Sequence, residues 1–193
     1  MKILIDARTL GKRPSGVGMY LYNFICGLMQ YDTMEMELLT DVVESAAMKE
    51  LEKAHIPIYR YGTPVEKSIG VYAYFRFVQN KINEVKPDLF WEVNNLTPVV
   101  IRNPYGKTAV TVHDVFPITA PYGYGRLYPY YFKWNLGKTL RHMDAVIYNS
   151  LDTKTQVEQY YPAAKALPSC ISYIITEAVS YTHLRAHETE ADL

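Results

Sequence analysis

Short apolar runs alternate with longer amphipathic ones from the first residues of this chain to about residue 161, with glycine and proline marking the joints. KILID, residues 2–6, is apolar and bounded by polar groups, as a strand buried on both faces must be. ARTLGKRPSG follows, and Gly11, Pro14 and Gly16 break any regular element there. Ser15 stands where a helix N-cap belongs, and Val17, Tyr20, Leu21, Phe24, Ile25 and Leu28 recur at helical spacing, predicting a helix over 16–30. The same order then repeats. Strands are expected at 36–40, 56–61, 88–93, 107–113 and 145–148, and helices at 42–54, 66–86, 128–141 and 151–161. In the second of these helices Ile69, Tyr72, Phe75, Val78, Ile82 and Val85 share one face, and Pro87 ends it. Ser150 can cap the last, which Pro162 stops. Such alternation predicts an α/β fold: a Rossmann-like, doubly wound parallel sheet covered on both faces, with residues 1–162 as one domain.

Charge narrows the partners. Twenty basic and twenty acidic residues cancel over 193, no stripe of Lys and Arg marks a nucleic-acid partner, and 49% hydrophobic residues argue against disorder. Cys26 and Cys170 stand far apart with no second pair, so a reducing, cytoplasmic setting fits. The first residues, MKILIDART, are not a secretory signal, and no run approaches the roughly 18 apolar residues of a membrane span.

In a sheet of this kind ligands sit outside the carboxyl ends of the strands, so the residues following each strand are the ones to read. Pro14–Gly18, PSGVG, puts Ser15, Gly16 and Gly18 at a helix start, where backbone N–H groups and a positive dipole suit a phosphate. The same glycines also suit a tight turn with close helix–strand contact, and both readings stand. The segment is neither a Walker A loop nor GxGxxG. TVHDVFP, residues 111–117, delivers His113 and Asp114 side by side at a strand end; imidazole near neutral pH can orient a hydroxyl, while the plainer role is a backbone-satisfying histidine with Asp114 as a loop cap. Asn94 and Asn95 can read hydroxyls or form an ordinary turn. Asn149 and Ser150 occupy the corresponding position after the strand at 145–148. Arg8, Lys12 and Arg13 can meet an anion near the glycine loop. The aromatic stretch 120–134, APYGYGRLYPYYFKW, offers rings for sugar stacking, for a membrane interface or for packing against another domain.

Taken in order, IDARTLGKRPSGVGMYLYNFICGL, DLFWEVNNLTPVV, KTAVTVHDVFPITAP and LRHMDAVIYNSLDTKTQV resemble the N-terminal domain of glycosyltransferase family 4, whose members have the GT-B fold. The likeness is nearest to mannosyl- and glucosyltransferase-like bacterial members. The resemblance implies two Rossmann-like domains facing a cleft, the first holding mainly the acceptor and the second mainly the nucleotide-sugar. It implies transfer with retention, with no cofactor and no metal. By position it places Ser15, Gly16 and Gly18 near the donor diphosphate, His113 near the transferred sugar and Asp114 near the acceptor. It sets Asn94, Asn95, Asn149 and Ser150 around acceptor or sugar. The implied partners are a nucleotide-sugar, a sugar or lipid-linked acceptor and a missing C-terminal GT-B domain, with peripheral contact at the inner membrane face.

Residues 163–178 are expected to be an incomplete interdomain segment. Residues 179–193 follow no apolar period, and Val179 to Thr189 resemble one translated frame of a sequencing adapter over eleven consecutive positions. The expectation is a read-through tail, in which His183 and His187 are accidental rather than a metal pair. Two alternatives to a transferase fragment remain: a non-catalytic binding module using the aromatic stretch, and a nucleotide-dependent oxidoreductase or epimerase.

Overall fold

The computed structural model describes residues 1–11, 15–41, 44–65 and 68–173; the tail expected over 179–193 lies outside them. Among these residues seven strands form one sheet in the order β3-β2-β1-β4-β5-β6-β7. They are β1 (Lys2–Asp6), β2 (Glu35–Thr40), β3 (Ile58–Arg60), β4 (Leu89–Glu92), β5 (Lys107–Val112), β6 (Ala145–Tyr148) and β7 (Ser169–Ile171). Every neighbouring pair is parallel. The order reverses between β1 and β4, and that junction is the switch point at which doubly wound sheets open a crevice. The α/β, doubly wound class is as the sequence predicts.

Among the described residues six helices intervene: α1 (Gly16–Leu28), α2 (Ala46–Lys53), α3 (Ser68–Val85), α4 (Phe116–Thr119), α5 (Tyr128–His142) and α6 (Leu151–Tyr160). Alternate strand residues point to opposite faces, and the core divides accordingly. Ile3, Ile5, Leu38 and Trp91 pack with Tyr20, Leu21 and Ile25 of α1 and with Met48 and Leu51 of α2. Leu4, Leu39 and Phe90 face the other way, onto Tyr74, Phe75, Val78 and Ile82 of α3. Val110 and Val112 meet Phe132, Leu136 and Leu140 of α5, with Val157 of α6 in the same cluster.

Some expectations shift. α2 begins at Ala46 rather than 42, because the Ser45 hydroxyl accepts the Met48 N–H at 3.2 Å and so caps the helix there. α3 is described from Ser68, and its buried face runs through Tyr74 rather than Tyr72, which is exposed. The segment between β5 and α5, expected as loop, contains α4 and a 3₁₀ turn at Pro121–Gly123. Within residues 162–173 a 3₁₀ turn, Pro162–Ala166, leads to β7, which extends the sheet beside β6.

Candidate functional site

The carboxyl ends of the strands share one edge of the sheet, and the strand-end residues gather along it. His113 follows β5 and is buried. Its backbone N–H donates to Asn95 Oδ1 at 2.7 Å, and its Nε2 lies 2.8 Å from the Val93 carbonyl oxygen. A carbonyl only accepts, so Nε2 carries the proton and Nδ1 keeps its lone pair. Nδ1 is buried and has no hydrogen-bond partner among the described residues. Burial pushes the His113 pKa below its ordinary value of 6.5, against smaller raising effects from Val93 and Asp114, so the ring is neutral at pH 7.

Lys12, Arg13 and Pro14 lie outside the described residues; the other residues proposed from the sequence each have a definite place. Asn95 takes a left-handed backbone, φ 28°, which an asparagine tolerates better than most residues, and this turn brings its amide onto β5. Asn149 Oδ1 lies 2.9 Å from Thr153 Oγ1, which is also 3.0 Å from the His113 carbonyl oxygen, tying the ends of β5 and β6 together. Ser150 caps α6 by accepting the Thr153 N–H at 3.0 Å. Asp114 Oδ1 accepts the Phe116 N–H at 3.1 Å and so shapes the turn into α4. Ser15 caps α1, and its hydroxyl takes the Gly18 N–H at 3.3 Å; that N–H is thereby engaged inside the helix start. A side chain at Gly16 would meet open space, so no close packing requires glycine there. One turn further on, Tyr20 packs edge-on against His113 with ring centroids 5.2 Å apart. The α1 start and His113 therefore occupy the same edge.

On the opposite face of that edge lies a cluster that the motif reading did not assemble. Asp6 and Glu92, the last residues of β1 and β4, are partners in register and both buried. Arg8 donates from Nε to Asp6 Oδ1 and Oδ2, at 3.0 and 2.9 Å, and its Nη2 stands 3.5 Å from Glu92 Oε1. The guanidinium also lies against the rings of Tyr74 and Phe75, 4.5 and 4.7 Å from their centroids. The Tyr74 hydroxyl donates to Asp6 Oδ1 at 3.0 Å, and the Asn94 N–H donates to Glu92 Oε1 at 3.0 Å. Burial and the neighbouring Asp6 push the Glu92 pKa well above its ordinary value despite Arg8, which favours its protonated form. Burial opposes the charge on Arg8, but the acids and Tyr74 outweigh it and keep the guanidinium charged. The charged guanidinium placed between the two acids is how so dense a group of ionisable side chains can sit in a core. A glutamate inside the apolar run DLFWEV was the available signal, since an ionisable residue in a strand buried on both faces demands a partner.

Above this cluster opens a pocket of about 140 Å³, lined by Arg8, Asn94, Asn95, Phe75, Tyr128 and Tyr131 among others. It sits at the β1/β4 junction, between α3 and α5. Of the sequence-proposed residues, Arg8, Asn94 and Asn95 line it. His113 is beside it in the fold but faces α1, and Asp114, Asn149 and Ser150 stand along the same edge outside the lining. The arrangement offers fixed amide, guanidinium and phenol groups with aromatic walls, a combination that suits a polyhydroxylated ligand. Among the described residues, no three His, Cys, Asp or Glu side chains gather as a metal site would require.

A profile described as Glycosyltransferase Family 4 matches residues 14–171. The chain belongs to glycosyltransferase family 4. Solved structures agree in fold. Anabaena Alr3699/HepE in complex with UDP and glucose is similar at 19% identity with a TM-score of 0.60, over 97% of this chain and 50% of that one. The UDP-glucose complex of the same protein matches equally well, over 98% and 50%. Glycyrrhiza uralensis UGT73P12, complexed with glycyrrhetinic acid 3-O-monoglucuronide, is similar at 11% identity with a TM-score of 0.56, over 89% and 48%. This family 4 chain thus spans about half the length of the structures it matches, and its sheet is the Rossmann-like sheet of GT-B glycosyltransferases. No protein of curated function matches it.

Proposed function

We propose that this family 4 chain is the acceptor-side half of a retaining glycosyltransferase, which moves a hexose from a nucleotide-sugar to a sugar or lipid-linked acceptor in cell-surface polysaccharide or glycoconjugate synthesis. In that reaction the bond between the anomeric carbon and the diphosphate oxygen breaks, an acceptor hydroxyl oxygen takes the carbon on the same face, and the nucleoside diphosphate leaves, taking up the proton that the hydroxyl gives away. Neutral His113, buried at the end of β5, is the strand-end group beside the transferred sugar and holds Asn95 in place through its backbone N–H. The start of α1, with Ser15 and Gly16, faces the donor diphosphate, and Gly18 holds the cap that sets that start. Asn94 and Asn95 read acceptor hydroxyls, while Asn149, Ser150 and Asp114 fix the turns that frame them. The observation that carries this reading is the meeting of these strand-end groups on one edge, beside an aromatic-walled pocket at the switch point. Support for a nucleotide-sugar donor comes from the similar Anabaena protein, whose structures hold UDP, glucose and UDP-glucose.

The test is ligand-observed NMR on the 193-residue chain with UDP-glucose, GDP-mannose, simple glycosides and NADH. Saturation transfer to glycosides, weak transfer to the nucleotide-sugars and none to NADH is expected. Transfer to NADH alone would make the chain a dinucleotide-dependent enzyme instead. The isolated chain is also expected to turn over little sugar, so robust turnover by it would refute the half-site assignment.

A further inference from the structure

A guanidinium on the floor of a small pocket ordinarily marks a place for a carboxylate or a phosphate, because its planar fork matches both. Among the described residues, Arg8 is the one charged residue lining the pocket at the β1/β4 junction, but its fork is already taken. Nε donates to both Asp6 oxygens, and Nη2 lies 2.9 Å from Asp6 Oδ2 and 3.5 Å from Glu92 Oε1. Nη1 is the nitrogen left for a ligand. The ion pair with Asp6 neutralises Arg8, and Glu92 adds no positive charge in either protonation state.

A carboxylate entering such a pocket gives up its water, and only an uncommitted cation offsets that loss. Here it meets a guanidinium with two acids directly behind it, close enough to repel it in a site half shielded from solvent. A sugar hydroxyl meets no such opposition, since it accepts one N–H and can donate in turn. The remaining groups suit it. Asn95 Oδ1 accepts the His113 N–H, which leaves the Asn95 amide its N–H groups to give. The walls are Phe75, Phe132, Tyr128 and Tyr131, the last two with ring centroids 6.1 Å apart, and aromatic faces cover the apolar side of a sugar ring. At about 140 Å³ the pocket has less than half the volume at which drug-sized sites begin, ~300 Å³, so it holds one ring and no nucleoside diphosphate. A second domain closing over this edge can narrow the mouth, but the floor consists of this chain's own residues.

We infer that the pocket at the β1/β4 junction admits a single uncharged sugar ring, and that Arg8, committed to Asp6 and Glu92, makes it turn away uronic acids and other anionic sugars of the same shape. This selection rests on the pocket being the acceptor's place, as proposed above, and it narrows which acceptors enter.

The experiment is a saturation-transfer NMR titration of the full 193-residue chain at neutral pH. The probes are the methyl glycosides of glucose, galactose and mannose, each beside its uronate and its uronamide. Uronate and uronamide share one shape, so a difference between them is a difference of charge. At least one neutral glycoside and its uronamide should bind with similar apparent affinity, and the matching uronate about tenfold or more weakly. Asn94 is exposed at the pocket, so Asn94→Lys brings an uncommitted cation there without disturbing the core. It should narrow the gap between uronate and uronamide by about threefold or more. Methyl dispersion matching wild type in a one-dimensional spectrum verifies that the variant is folded. Equal or tighter binding of the uronate overturns the selection and leaves the acceptor reading in place. A gap that folded Asn94→Lys does not narrow overturns it too, because the discrimination then lies away from this pocket. Absence of binding by every probe overturns the acceptor reading, and the selection with it.

Discussion

Glu92 is where a single side chain most affects the stability of the site. Its carboxyl ionises in an unfolded chain near pH 4.3, and in the folded chain well above that because it is buried beside Asp6. The folded state thus prefers the protonated form. Its contribution to stability is full below the unfolded value, and it declines as pH rises from there toward the folded value. Glu92→Gln keeps the shape and the acceptor for the Asn94 N–H while removing the ionisation. Thermal unfolding of the variant should therefore depend less on pH. Above neutrality its midpoint should exceed wild type by ~2–4 °C, the shift that about 1 kcal/mol gives in a chain of this size. A midpoint below wild type across the whole range would mean that the acid is needed for packing. His113 has the opposite sign. Its folded pKa is lowered, so its contribution is present above pH 6.5 and is lost as pH falls through the folded value. Its ring resonances in NMR should titrate at a pH below that of a free imidazole. The sequence foretold His113 and Asn95 at the strand ends because strand ends are visible as the close of an apolar run. It did not foretell that Asn95 would be spent on the His113 backbone, nor that Arg8 would reach Glu92 as well as the nearby Asp6, because those partners are 18 and 84 residues away in the chain.

At the scale of elements, local chemistry was legible where one residue decides. Ser15, Ser45 and Ser150 each accept the backbone N–H three residues on. Two of the three caps were evident from the sequence. The third was obscured because Val42 and Val43 extend the apolar period ahead of Ser45, and periodicity alone cannot stop a helix where a hydroxyl can. Ser150→Ala should cost ~1 kcal/mol in urea unfolding, and Ser150→Thr much less, because threonine keeps the acceptor. A glycine decides the other case. Gly106 precedes β5, and a Cβ there would stand 2.1 Å from the Asp88 carbonyl oxygen and 2.5 Å from its carbon. Both are backbone atoms, and the same oxygen accepts the Lys107 N–H at 2.8 Å, so no flexible side chain can give way. Gly106→Ala should therefore cost more than the loss of a cap, ~1–3 kcal/mol on the scale of overpacked sites, read as a lowered urea midpoint. Equal stability would show that the β4 and β5 starts separate freely. The short helix α4 escaped the sequence reading for a related reason: its start rests on Asp114 and its residues, FPIT, have no period to display.

For the molecule as a whole, the order of the strands determines how evenly stability is spread. β1, β4 and β5 are paired on both sides and lie beneath helices on the sheet faces, whereas β3 and β7 are three-residue edge strands paired on one side only. The class of fold followed from the alternation of apolar runs, but the strand order did not, since a period reports which face is buried and not which strand lies beside which. That order also explains why the acids of β1 and β4, far apart in sequence, become register partners at the site. An edge strand opens without breaking the core, while opening β1 or β4 separates Asp6 from Glu92 and exposes the Arg8 cluster to water. Native-state hydrogen exchange should therefore place the slowest amides on Leu4, Ile5, Phe90, Trp91 and Val110, exchanging only with global unfolding, and let β7 exchange through local opening orders of magnitude sooner. If the β7 amides were protected as strongly as those of β1, the sheet would open as one unit, and the switch-point cluster would share its fate with the edge.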